Sequence, residues 1–268
     1  MTAIGIRPAA GARLLDHRSM RVVRRNAVLA LRSWPIFITR LFEPYIFLFS
    51  IGIGVGTLVG DVIGPDGTPV PYRTFVAPAM LAGSAMNASV FATVIDFFAK
   101  FKWRGSYEAM LASPIGIRDL VWGELLWILA FIGFQSASFA VTMLVLGLIE
   151  SWWALLLVPA GILVAFAFGG VGFVAASFLR SWLDFDLVTL VIFPLFLFSA
   201  SFFPLSRYPD VLAWIVQVTP LYHGVDLARD LTLGTVDGWS LVSVCYLLAM
   251  GLIGMRIANR RIAEKLQP

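Results

Sequence analysis

Apolar residues run along this chain in blocks too long and too uniform for either a half-buried strand or the face of a surface helix. A transmembrane helix needs about 20 mostly apolar residues to cross roughly 30 Å of hydrocarbon. Six stretches meet that pattern: Leu41 to Val59, Thr74 to Phe98, Leu120 to Leu148, Trp152 to Leu179, Leu187 to Phe203, and Trp239 to Ile257. The third and fourth exceed the minimum and imply tilt or extension beyond the bilayer. The fifth is short and contains Pro194. The expected fold is all-α: a polytopic membrane protein with six transmembrane helices, an N-terminal amphipathic elbow helix and extracytoplasmic re-entrant helices. The chain then divides into a cytoplasmic N-terminal segment over 1–40, a six-helix transmembrane domain over 41–257, and a cytoplasmic tail over 258–268.

Composition agrees with the blocks. Of 268 residues, 59% are apolar and 13% charged, with a mean hydropathy of +0.87, where a soluble domain carries about 25% charged residues. The net charge is +4, but the placement of the charges says more than their sum. Seventeen of the 20 basic residues fall in the N-terminal segment, the 2–3 and 4–5 connections and the C-terminus. Only Arg73, Arg207 and Arg229 fall on the other side, among Asp61, Asp66, Glu150, Asp210, Asp226, Asp230 and Asp237. Basic residues stay inside, so both termini are expected in the cytoplasm. The first 40 residues hold eight arginines and no apolar signal-peptide core, so the first span is expected to act as the insertion signal. Trp34, Trp103, Trp152, Trp153, Trp182, Trp214 and Trp239 map to span ends or loops, as an interfacial belt requires.

Three segments outside the spans stand out. Over residues 18 to 34, Arg18, Arg21, Arg25 and Arg32 gather on one helical face and Met20, Val23, Ala27, Leu31 and Trp34 on the other. This is an elbow lying in the headgroup plane and feeding the first span, or a topology signal that happens to be helical. The 2–3 connection, AKFKWRGSYEAMLASPIGIRD, holds a short helix over Tyr107 to Ala112 that stops before Pro114. It suits docking on a soluble partner, with Tyr107 and Met110 on one face and Arg104 and Glu108 at its margin; a charged connector is the plainer alternative. From Phe202 to Gly238, Pro204, Pro209 and Pro220 cut the chain into pieces, and Val211 to Val218 is apolar but covers only about 12 Å as a helix. It is either an outer lid that re-enters the membrane or packing at the outer rim.

Chemistry is sparse. GIGVG at Gly52 to Gly56 and GGVG at Gly169 to Gly172 lack the GK[ST] of a phosphate-binding loop. Gly52, Gly56 and Gly60 repeat every four residues, the small-residue spacing that lets helices approach closely. Two histidines, His17 and His223, on opposite sides and one cysteine, Cys245, in an apolar run offer no metal set; the cysteine is expected as core filler. Glu43, Asp96, Glu124, Asp184 and Asp186 fall near the cytoplasmic ends of spans, with Arg40, Lys100, Arg118 and Arg180 in reach for ion pairs. No acid lies at mid-membrane to couple a proton, which argues against a secondary carrier, and no cluster supports a membrane-embedded enzyme acting on lipid intermediates. These two remain the alternative classes.

The stretches KWRGSYEAMLASPIGIRDLVWGELLW (Lys102 to Trp127) and FLFSASFFPLSRYPDVLAWIVQVTPLYHGVDLARDLTLG (Phe196 to Gly234) resemble the membrane subunits of ABC-2-type exporters, nearest the subgroup of nodulation exporters and daunorubicin-type drug-efflux permeases. The most specific part is Phe202, Phe203, Pro204, Pro209, Pro220 and Leu221; family members often carry glycine where this chain has Ala200 between Ser199 and Ser201. The resemblance implies a bacterial plasma-membrane permease without its own ATPase site, pairing as a homodimer with two separately encoded ATP-binding subunits that hold ATP and magnesium. No cofactor is expected in this chain, and no nucleic acid. Arg104, Tyr107, Glu108 and Met110 become the ATPase-coupling contact, and Phe202, Phe203, Pro204, Pro209, Trp214 and Pro220 the re-entrant outer gate. The cargo implied is a lipid-linked saccharide, a lipo-oligosaccharide or an amphipathic drug.

Overall fold

In a computed structural model, residues 17–65, 67–102, 115–181 and 183–266 are described. Helix α1 (His17–Arg32) is followed at once by α2 (Trp34–Phe47), whose first turn holds Pro35, a position where the missing N–H costs nothing. Helix α2 runs on through π-helical turns over Leu48–Val55 into α3 (Gly56–Val59). A two-stranded antiparallel hairpin then pairs β1 (Asp61–Ile63) with β2 (Pro69–Pro71), Val62 opposite Val70. These six strand residues are a small departure from the all-α expectation. Helix α4 (Tyr72–Phe91) continues through a second π-helical turn, Ala92–Asp96, into α5 (Phe97–Lys102). The rest is α6 (Ile117–Val145), α7 (Leu157–Phe178) entered by a 3-10 turn, α8 (Asp184–Leu197), α9 (Asp210–Val218), α10 (Pro220–Leu233) and α11 (Gly238–Leu266).

Five helical stretches are long and apolar enough to cross a membrane: Ile38–Val59, Tyr72–Lys100, Ile117–Val145, Trp152–Phe178 and Gly238–Glu264. The fifth expected span, Leu187 to Phe203, is shorter in the structure. Helix α8 has 14 residues, about 21 Å of rise, and ends at Leu197. Pro194 sits in its last turns, where it cannot donate a backbone hydrogen bond, and the chain then bends through Ala200 at φ 54°.

Helix α4 is the axis of the bundle. Its stretch APAMLAGSAMNAS has small or apolar residues on every side, and a helix apolar all round is a buried one. In this second span 78% of the apolar window is buried, against 17% in the first. Helices α7, α10 and the π-helical part of span one surround it. A backbone-to-backbone approach lies elsewhere, between α7 and α11. A Cβ built on Gly170 would stand 2.6 Å from the Gly251 carbonyl oxygen, and one on Gly254 2.6 Å from the Gly170 carbonyl carbon. On the α4 side of α7, a Cβ on Gly169 would stand 2.9 Å from Ser89 Oγ, and one on Gly172 would collide with Thr93. The residues of the GGVG run thus bring α7 to the backbone of α11 on one side and against the small side chains of Ser89 and Thr93 on the other. Cys245 lies exposed on α11 and fills no core, because the apolar run around it faces outward.

Replacing Gly170 by Val would force apart two backbones that have no side chain to yield. Overpacking of this kind costs about 1–3 kcal/mol or more. In detergent, Gly170→Val should lower the unfolding temperature markedly. Gly238→Ala, where an added Cβ meets nothing within 4 Å, should leave it unchanged.

Candidate functional site

Polar and charged side chains gather at the two ends of the bundle. At the α1 end, Glu124 of α6 is only 3% exposed, and one of its oxygens, Oε2, accepts from Lys100 Nζ at 2.6 Å and from Asn26 Nδ2 at 2.9 Å. The second oxygen has no hydrogen-bond partner among the described residues. This carboxylate joins three elements: α1, the α5 end of the second span, and α6. Helix α1 reaches it because residue 123 is glycine: a Cβ there would stand 2.6 Å from Val22 Cβ and 2.8 Å from the Ser19 oxygen. The docked strip of α1 is Ser19, Val22 and Asn26, all 3% exposed or less. It lies on the flank between the arginine face and the apolar face read from the sequence.

A second pair stands beside it. Arg40 Nη1 and Nη2 grip both oxygens of Asp96 at 2.8 and 3.1 Å, a two-pronged geometry that fixes orientation as well as distance. Pro44 has no N–H for the carbonyl of Arg40 four residues earlier, and Gln135 Nε2 donates to that oxygen instead at 2.9 Å. Asn87 Nδ2 donates to Glu43 at 3.0 Å. A cavity of about 270 Å³ lies between these groups, walled by Asn26, Arg40, Asp96, Lys100, Glu124 and Trp127 among others. The ion pairs expected near these span ends form with Arg40 and Lys100.

The opposite, hairpin end is organised by Arg229 of α10, 4% exposed. Its Nη2 donates to the Ala200 carbonyl at 2.9 Å and its Nε to the Phe75 carbonyl at 3.4 Å, with the guanidinium 3.8 Å from the Phe75 ring centre. One side chain thus ties α10 to the start of α4 and to the bend after α8. Burial lowers its pKa to about 10, against the pull of Asp226, Tyr222 and Asp230. Burial, and then the nearby Asp230 charge, push Asp226 up to about 6. Asp230 is raised by burial too, while Ser240 at 2.6 Å and Thr235 at 3.0 Å favour its ionised form. His223 shares a 3.0 Å hydrogen bond with Ser243 and stacks on Tyr246, clasping α10 to α11. Burial lowers its pKa.

The residues singled out from sequence do not gather in one place. Arg104, Tyr107, Glu108 and Met110 lie outside the described residues, as does Asp66. Phe202 packs edge-on against Phe196 at 5.3 Å, whereas Phe203 and Trp214 are 59% and 72% exposed and point away from the core. Pro204 precedes the 3-10 turn Leu205–Arg207, Pro209 precedes α9, and Pro220 opens α10. Each proline starts a helix, where its fixed φ is an advantage. A Cβ on Gly52 or Gly56 would come within 3.9–4.0 Å of the backbone of Arg73, so both face the head of α4 in the same chain. Gly60 is not part of that helix; it ends it, at φ 72°. The roles of Arg229, Asn26, Gln135 and Ala200 escape the sequence. Two of them leave a readable signal: Gln135, an amide in the middle of an apolar run, and Ala200, which stands where family members often carry glycine and adopts φ 54°.

The two charged ends respond differently to substitution. Removing Lys100 leaves Glu124 buried and uncompensated, a loss of about 3–5 kcal/mol in comparable pairs; Lys100→Met should unfold well below wild type, and Lys100→Met with Glu124→Leu should recover much of the difference. For Asp226 the folded protein prefers the neutral acid, so ionisation costs stability as pH rises from the unfolded value of about 4 to about 6. Thermal unfolding should show Asp226→Asn above wild type at pH 7, the gap closing by pH 4.

Known proteins share this sequence over most of its length. Residues 19–233 match the family model of ABC-2 type transporters. The chain is similar to Nodulation protein J of Rhizobium leguminosarum bv. trifolii, 35% identical over 72% of both chains. It is also similar to Nodulation protein J of Rhizobium leguminosarum bv. viciae, 31% identical over 83% of this chain and 86% of that one, and to Nodulation protein J of Azorhizobium caulinodans, 28% identical over 91% and 96%. With its long apolar helices and a match running from α1 through α10, the chain belongs to the ABC-2 type transporter family and is a multi-pass membrane subunit of that kind.

Proposed function

We propose that this chain is the permease of an ATP-driven exporter, working as two copies with two separately encoded ATPase subunits in the bacterial plasma membrane. The family match over residues 19–233 carries the reading, and the sequence offers no lysine-bearing phosphate loop of its own. Energy then enters through a contact with the partner. Tyr107 to Ala112, between the second and third spans, is that contact, with Tyr107 and Met110 as anchors and Arg104 and Glu108 at their edge. Both termini lie in the cytoplasm by the distribution of basic residues. Helix α8 acts as a sixth membrane element, and α9 and α10 as outer helices that do not cross. The cargo is an amphipathic molecule: a lipid-linked saccharide, a lipo-oligosaccharide or a drug.

Exposed apolar side chains support the pairing of two copies. Phe42, Ile46 and Phe49 on the first span and Leu187, Leu190, Val191 and Phe193 on α8 are all more than half exposed. A path between copies would run along these faces. An enzyme acting on lipid intermediates is less well supported, because His223 is held by Ser243 and Tyr246, and Glu124 and Asp96 are held in ion pairs.

The test is co-expression with a candidate ABC ATPase from the same organism, purification through a tag on this chain, and ATP-driven transport into inverted vesicles. Wild type should retain the ATPase. Truncating an anchor at a hot spot costs about 1–4 kcal/mol, so Tyr107→Ala and Glu108→Arg should release or uncouple it while the spans still insert. Full retention and full transport in both variants would return Tyr107 to Ala112 and its loop to the role of a charged connector.

A further inference from the structure

Under the β1–β2 hairpin lies a cavity of about 410 Å³ that the packing of the spans does not require. The hairpin tip (Gly64, Pro65, Gly67) roofs it, Pro204 to Ser206 close one side, and Phe75 forms part of its floor. Ligand sites commonly fall between about 300 and 1,000 Å³. The remaining wall comes from α10, where Tyr222, Asp226 and Arg229 stand at i, i+4 and i+7 and so share one helical stripe.

The hydrogen-bonding state of that stripe is unusual. Arg229 is more than nine-tenths buried. Its Nε and Nη2 are bound to carbonyls, and its third nitrogen, Nη1, has no hydrogen-bond partner among the described residues. The Asp226 carboxylate likewise has none among the described residues. A donor and an acceptor are therefore both left unused on the wall of one cavity. Leaving them so costs free energy unless a ligand or water completes them.

We propose that this cavity is a binding site for a neutral, hydroxyl-rich headgroup, a saccharide, held between Asp226 and Arg229. The signs of the two groups select the ligand. A cation drawn to Asp226 meets the buried Arg229 three residues away, and an anion drawn to Arg229 meets Asp226 with Asp230 and Asp237 nearby. A hydroxyl donates to one and accepts from the other, so adjacent sugar hydroxyls satisfy both. Tyr222 and Ser206 add further hydroxyls, and Phe75, Ile63 and Leu205 give apolar surface for the C–H faces of a ring. The upward displacement of the Asp226 pKa to about 6 agrees with a carboxylate short of solvating partners. The inference rests on the export reading for the source of the headgroup, the polar end of an amphiphile leaving on this side.

The experiment uses the full chain purified in a polyoxyethylene detergent, free of sugar headgroups, with hydrogen exchange read over 60–71 and 200–206. Maltotriose, cellotriose and chitotriose are titrated in turn, with choline chloride and inorganic phosphate as charged comparisons. At least one trisaccharide should slow exchange in both segments, and neither choline nor phosphate should. Asp226→Ala should raise the concentration needed by about tenfold or more, the loss of one charge-assisted hydrogen bond. Asp226→Asn, which preserves shape and one acceptor, should fall between, with exchange in α4 and α7 unchanged as the sign of an intact fold. Protection by choline or phosphate, protection by no trisaccharide, or undiminished protection in Asp226→Ala would each overturn the proposal. Retention of the ATPase is scored separately, so loss of the export reading and loss of this site give different results.

Discussion

In a lipid bilayer the tails are as apolar as the helices, and burial of apolar surface contributes little to holding one helix against another. What remains is how closely backbones and small side chains can be brought together. The contact of Gly170 on α7 with Gly251 and Gly254 on α11 brings two backbones together with no side chain between them. On its other side α7 meets α4 through Gly169 and Gly172 against Ser89 and Thr93, and Ser89 Oγ donates to the Ala165 carbonyl at 2.6 Å. Three spans are therefore locked in one slab by residues that carry almost no side-chain volume. The first span and α8 also meet α4 at glycines, Gly52 and Gly56 of the first span near Arg73 and Phe196 of α8 against Gly83, but much of their apolar surface stays open.

Charge takes over where small residues end. Both ends of the slab are tied by a single deeply buried ionic side chain that reaches across three elements: Glu124 at one end and Arg229 at the other. They differ in how they are satisfied. Glu124 has a full cationic partner in Lys100, while Arg229 is held by two carbonyls and an aromatic face, with its carboxylate neighbours at a distance. Both leave hydrogen-bonding capacity on a cavity wall, Glu124 through its second oxygen and Arg229 through its third nitrogen. The two ends differ instead in the sign of the buried charge and in whether a counter-ion holds it.

Much of the fold is legible in the chain, since long apolar blocks have few alternative structures. Five of six blocks form long helices, four of them within three residues of both expected limits, while the last runs on past Ile257 to Glu264. The block over Leu187 to Phe203 does not, because hydropathy counts apolar residues without asking whether the backbone stays helical. Pro194 and the left-handed Ala200 end it early. The glycine repeat at Gly52, Gly56 and Gly60 is visible by spacing. The more consequential glycines at 170, 251 and 254 are not, because their importance depends on which two helices cross. Arg229 is the clearest case of illegibility. In sequence it is one of three basic residues on the sparsely charged side; only the fold brings Phe75 and Ala200 to it, from 154 and 29 residues away.

Helix α1 turns a small geometric detail into a property of the whole molecule. It is docked by its flank, through Ser19, Val22 and Asn26 against Gly123 and Glu124, so neither its arginine side nor its apolar side is used up. A free amphipathic helix settles to whatever depth its faces prefer and can roll as the lipid changes. This one is bolted, and its depth and roll are set by α6. Any tilt or shift of the third span is therefore handed directly to α1, and α1 and α6 move as one body rather than as a helix and its tether.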